Sequence, residues 1–207
     1  MDNPWKTIGL SDYENHMKLD TVMQLQTLND MMKQQLNAYP VKSVMVLGVA
    51  GGNGLEHIDK KYSAVYGVDV NPEYLREVQK RYDHLGGILK CLCADLLTES
   101  SELPNAELVI ANLLIEYIGY KCFGEVIKQV RPEYVSCGIQ INTDEGFVSD
   151  SPYLHSFDGL DSIHHQMEIG ELTGCMGNIG YDRICVSEYP LPNGKKLVRV
   201  DFKFGRL

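Results

Sequence analysis

Between residues 41 and 141, short apolar runs rich in Val, Ile and Leu alternate with segments whose apolar positions recur at helical spacing. That alternation predicts successive βα units, with strands over 43–47, 64–68, 87–91, 108–111 and 134–141 and helices over 54–59, 72–82 and 121–130. Ahead of them, Leu19, Val22, Leu25, Leu28, Met32 and Leu36 mark one amphipathic helix over 12–38, ended by Tyr39-Pro40. Behind them come a helix over 168–179 and two strands over 183–188 and 196–204, joined through Asn193-Gly194, a pair that favours a tight hairpin turn. These last strands are therefore antiparallel, and in the second Val198, Val200, Phe202 and Phe204 alternate with polar residues. The fold class is α/β: a doubly wound, mostly parallel sheet covered on both faces, with an antiparallel C-terminal strand pair and an N-terminal helical extension.

The candidate chemistry begins where Val44-Met45-Val46-Leu47 runs straight into Gly48-Val49-Ala50-Gly51-Gly52-Asn53-Gly54. Small residues here let the backbone turn sharply and a ligand approach it closely, whereas a bare turn needs only one or two glycines. A dinucleotide fingerprint requires small residues at its first, third and sixth positions. Counted from Gly48 the sixth is Asn53, and counted from Gly52 it is His57, so both registers fail. Every second position is small instead: Gly48, Ala50, Gly52 and Gly54. On these residues the chain resembles the class I S-adenosylmethionine-dependent methyltransferases. The resemblance implies a seven-stranded, Rossmann-like sheet, S-adenosyl-L-methionine as cofactor, S-adenosyl-L-homocysteine as product, and one domain over 1–207, with 1–40 a helical lid and 41–207 the α/β core.

The following strands extend the resemblance. One ends at Asp69-Val70, where a carboxylate can accept both hydroxyl hydrogens of a ribose; Asp69 also reads as a cap for the helix at Pro72, although Asn71 is better placed for that. The next ends at Asp95-Leu96, to which the resemblance gives the adenine amino group and the ring face. Asn112 closes the fourth strand, facing the methionine portion or the acceptor. Glu116 and Tyr117 follow as candidate general base and acceptor contact, or as mere borders of the crevice. The chain departs from the family at Val46, where an acid is usual, and at Ala50, where glycine is usual. Tyr13 and His16 in the N-terminal extension are candidate lid contacts with the cofactor; alternatively Asp12 caps the helix and both are solvated. Tyr153, His155, His164 and His165 fall in the loop that builds the acceptor pocket in the family.

Charge narrows the partners. Nineteen basic against 28 acidic residues give a net charge of -9, the wrong sign for holding a nucleic-acid backbone, so the acceptor is expected to be a small molecule. No apolar run has bilayer length and the N-terminus lacks the pattern of a secretory signal, so neither membrane insertion nor export is expected and the location is read as cytoplasmic. Six cysteines are too sparse for a disulfide scaffold and stand at no metal-ligand spacing. The expected assembly is a monomer or homodimer. The rivals are a non-catalytic cofactor-binding adaptor of the same fold, favoured by Val46 and Ala50, and a nicotinamide-dependent oxidoreductase.

Overall fold

The computed structural model describes residues 3–99, 102–142, 148–149 and 151–205; the outermost residues of the predicted lid and core, 1–2 and 206–207, lie outside it. Seven strands form one sheet in the order β3-β2-β1-β4-β5-β7-β6. The strands are β1 (Ser43–Leu47), β2 (Ala64–Asp69), β3 (Leu89–Cys93), β4 (Leu108–Asn112), β5 (Tyr134–Ile141), β6 (Tyr181–Pro190) and β7 (Lys196–Phe204). The first five run parallel, and β7 enters antiparallel between β5 and β6. Strand order reverses between β1 and β4, so a crevice opens at their carboxyl ends.

The period of two along the strands divides the core. Met45, Leu47, Val109 and Val135 face α4 (Ile115–Val130) and α5 (Ile169–Gly177), while Val44, Val46, Val65 and Ile110 face α2 (Gln24–Asn37) and α3 (Pro72–Arg81). Buried side chains anchor α2: Gln35 and Asn112 exchange two amide hydrogen bonds of 2.9 Å, and the Tyr39 hydroxyl just beyond the helix donates to Asp201 at 2.6 Å. α2 is thus a core layer, and ahead of it stand the turn Pro4–Lys6 and α1 (Leu10–Met17). The predicted single helix over 12–38 divides because Met23 adopts φ 54, outside the helical region.

Other boundaries differ for local reasons. Gly86 and Gly87 belong to the irregular turn Asp83–Ile88, so β3 starts two residues later than the apolar run suggests. The predicted helix over 54–59 is a single 3-10 turn, Leu55–His57. α4 starts six residues before the predicted position: a first turn carrying Glu116 and Tyr117 precedes the predicted helix and is set off from it by Gly119 (φ 73, ψ 160). The β6–β7 hairpin closes on three residues, Pro192-Asn193-Gly194, with Gly194 at φ 82 and Leu191 N–H donating to Lys195 O at 2.9 Å. Among the described residues no helix is long and apolar enough to cross a membrane.

Candidate active site

The alternating small residues have a backbone cause: Gly48, Ala50, Gly52 and Gly54 all hold positive φ, at 67, 45, 85 and 93°. Gly48 and Ala50 line a cleft of about 660 Å³ at the tips of β1–β4. Gly52 and Gly54, expected to contact the cofactor, do not line it. They are small because packing requires it: a Cβ on Gly52 would lie 2.6 Å from Tyr82 Cε2, and one on Gly54 would lie 2.6 Å from Met32 Cβ.

Asp69, 8% exposed, closes β2 beside this loop. Its two oxygens accept the Ala50 and Asn71 N–H groups, each at 2.9 Å, and retain acceptor capacity for a ligand. Burial raises its carboxyl above the usual range, opposed by the N–H groups of Asn71, Ala50 and Val70. Asn71 caps α3 by accepting Glu73 N–H at 3.0 Å, which leaves the cleft to Asp69. Asp95 stands at the next strand tip; its Oδ1 accepts Leu97 N–H at 3.2 Å, and Oδ2 is held only weakly, by Asn3 at 3.5 Å. Val70, Leu96 and Ile118 supply apolar wall. Asn112 also lines the cleft, but its amide is committed to Gln35, so the expected contact through that group is replaced by an internal one.

The N-terminal segment lies across the cleft. Trp5 O accepts from Asn71 Nδ2 and Ile8 O from the Tyr74 hydroxyl, both at 2.9 Å. Arg81 grips Glu14 with both terminal nitrogens and donates to Gly51 O at 3.2 Å. The Glu14 carboxylate therefore rests on the glycine loop, on the side where Val46 provides no acid. Tyr13 lines the cleft, and burial followed by the charge of Asp69 raises its phenol.

A second chamber of about 540 Å³ adjoins the first. Trp5, Tyr13, Leu113 and Tyr117 line both. Leu113 sits in this partition at φ 52, a conformation that costs about 1–3 kcal/mol and is typical of ligand sites. Glu116, 3% exposed, lines the second chamber: Oε1 accepts Gln140 N–H at 2.9 Å, and Oε2 has no partner among the described residues. Burial lifts its carboxyl to about 7, and burial then raises the Tyr117 phenol, with Glu116 adding to it. His16 faces this chamber and not the cofactor cleft, because its Nδ1 pairs with Ser151 Oγ at 2.8 Å and its ring packs on Phe157.

Of the four candidate acceptor contacts, only His164 reaches the chamber. Tyr153 packs beside Ile8 and Phe157, His155 is exposed next to Asp158, and His165 is exposed with its N–H on Glu116 O at 2.7 Å. Asn3, Trp5 and Phe157 escaped the sequence reading; a lone tryptophan ahead of the first helix was the available signal.

No family model matches the chain, and no curated protein matches it in sequence. Its fold is that of solved methyltransferases. The magnesium protoporphyrin IX methyltransferase ChlM of Synechocystis PCC 6803, with bound S-adenosylhomocysteine, aligns at TM-score 0.72 and 12% identity over 97% of this chain and 96% of that one. The N-methyltransferase NodS of Bradyrhizobium japonicum WM9, also a complex with S-adenosylhomocysteine, gives 0.69 and 12% over 99% and 100%. The methyltransferase domain of bacterial CtHen1-C gives 0.65 and 17% over 96% and 100%. At these identities the likeness is one of fold, and it bears out the Rossmann-like, seven-stranded expectation.

Proposed function

We propose that this protein is an S-adenosylmethionine-dependent methyltransferase acting on a small-molecule acceptor. The observation that carries the reading is the pair of carboxylates, Asp69 and Asp95, at adjacent strand tips in one cleft beside the left-handed loop. Two hydrogen-bond acceptors with apolar wall between them suit an adenosine. Asp69 would accept the ribose hydroxyls, Asp95 the adenine amino group, and Leu96 and Ile118 would pack on the ring; the loop from Gly48 to Ala50 would border the amino-acid end.

The cofactor supplies a methyl group already activated by positive sulfur, so the protein's task is positioning. The second chamber would hold the acceptor against the shared partition, Tyr117 would orient it, and Glu116 would take its proton at Oε2. The strap from Trp5 to Tyr13 would exclude water from both chambers. The test is incubation with tritium-labelled S-adenosylmethionine and a fraction of metabolites below about 500 Da in mass, a bound set by the size of such pockets. A labelled small molecule is the expected result. Saturable cofactor binding with no labelled product would favour the adaptor reading instead.

A further inference from the structure

We infer that the acceptor is a primary or secondary amine on a small apolar body, recognised as its ammonium ion by the unpartnered Oε2 of Glu116 within the ring-lined second chamber. This rests on the methyltransferase reading above and names its substrate class.

The starting point is an unmet demand. A carboxylate oxygen that is buried and receives no hydrogen bond is destabilising, and a ligand that brings a donor removes the penalty. Many donors would serve, so the surroundings decide. Trp5, Tyr13, Tyr117 and Phe157 all line the chamber, and aromatic faces attract cations most strongly where water is excluded. Glu116 is the one carboxylate among the described lining residues. The two imidazoles there lean away from the positive form. Burial lowers both, with Lys195 adding to it at His16, and His165 ahead of Lys195 at His164. A neutral alcohol would meet Oε2 but leave the ring faces without a cation.

Proton and charge balance agree with an amine. Burial among rings lowers an ammonium pKa from its usual value near 10 and has lifted Glu116 to about 7, so the two approach each other. Glu116 Oε2 takes one N–H proton, which frees the nitrogen lone pair. That pair forms the N–C bond as the C–S bond breaks with its electrons left on sulfur. Positive charge thereby moves from the first chamber to the nitrogen in the second, next to the rings, and the carboxyl proton leaves to solvent when the product departs.

The test uses the full chain saturated with S-adenosylhomocysteine, and binding is read by saturation-transfer NMR and calorimetry at pH 7.5. The probes are phenethylamine, tryptamine and cyclohexylamine, each against the alcohol of the same skeleton, with 4-ethylphenol as an acidic hydroxyl. At least one amine is expected to bind ten times or more tighter than its alcohol and than the phenol, and Glu116→Gln should abolish that preference while still binding S-adenosylhomocysteine. Should that variant not fold, the wild-type profile decides: amine affinity should rise between pH 5.5 and 8 as Glu116 ionises. Tyr13 and His16 from α1, His164, His165 against Glu116 O, Cys137 from β5, and Tyr117 and Tyr120 on α4 are the titratable groups around it. The phenols and thiol are raised out of that window, and the His16 and His164 imidazoles are lowered toward its acid end, below Glu116. Equal or better binding of alcohols or phenol, a preference that survives in Glu116→Gln, or no amine binding to the loaded protein overturns the inference and leaves the methyltransferase reading standing. Failure of S-adenosylhomocysteine itself to bind overturns both.

Discussion

Replacing Glu116 by Gln should make the protein more stable at pH 8 while leaving it nearly unchanged at pH 5. The carboxyl titrates at about 7 in the fold against an ordinary 4.5, because burial is opposed only by its own N–H and that of Gln140. Below 4.5 both folded and unfolded chains hold the proton, and the group contributes no difference. Between 4.5 and 7 the folded chain keeps a proton that the unfolded chain has lost, so stability falls as pH rises; above 7 the whole penalty is present. At 1.36 kcal/mol per pH unit, that penalty is on the order of 3 kcal/mol. Gln retains an acceptor for Gln140 N–H and mimics the protonated carboxyl, so it carries no such slope. Urea denaturation of both proteins without ligand, at pH 5, 6, 7 and 8, isolates the effect, since His16 and His164 titrate in both and cancel in the difference. The variant's advantage should grow by about 2.5 kcal/mol from pH 5 to pH 8, or about 5–10 °C in Tm for a chain of this size. Parallel curves would refute the claim that a desolvated carboxylate with one oxygen unpartnered among the described residues sits in the second chamber.

Asp69→Asn exchanges a charged acceptor for a neutral one, a loss of about 1.4 kcal/mol, so calorimetry should find S-adenosylhomocysteine bound about tenfold more weakly; unchanged affinity removes the ribose role. Ala50→Gly relieves a left-handed alanine (φ 45) and should raise stability in urea by up to about 1 kcal/mol after the entropy cost of glycine, whereas a destabilised variant would contradict the strain. Arg81→Gln breaks the Glu14 pair, whose side chains are 36% and 22% exposed, so global stability should change by less than about 1 kcal/mol. Amide exchange over residues 4–17 should nevertheless accelerate, and unaltered protection there would deny Arg81 its hold on the strap.

The sheet is legible in the sequence because each strand answers a local demand: apolar runs where both faces are covered, strict alternation in β7. The glycine loop is legible for a related reason. Its small residues stand at 48, 50, 52 and 54 because each of those positions needs a positive φ, and two of them must also admit Tyr82 or Met32. Asp69 and Asp95 follow from their positions at strand ends.

What stays hidden depends on contacts distant in sequence. Trp5, Ile8 and Glu14 are placed by Asn71, Tyr74 and Arg81, 66 or 67 residues away, and nothing in residues 3–17 alone encodes that path. The Asn112 amide pairs with Gln35, 77 residues distant, a partner that its place at a strand end does not announce. The break at Met23 is invisible because apolar spacing continues through it. His16 lands in the second chamber because the turn of α1 directs it to Ser151 and Phe157, a packing choice that its neighbours in the chain do not determine.

The central claim is that the tips of β1 to β4 form an adenosyl-binding cleft. Calorimetric titration of the full chain with S-adenosylhomocysteine, and separately with NAD, tests it most directly. One equivalent of S-adenosylhomocysteine should bind and NAD should give no saturable heat, with the first signal lost in the Asp69→Asn, Asp95→Asn double variant. Binding of NAD in its place, or undiminished binding by the double variant, would contradict the account.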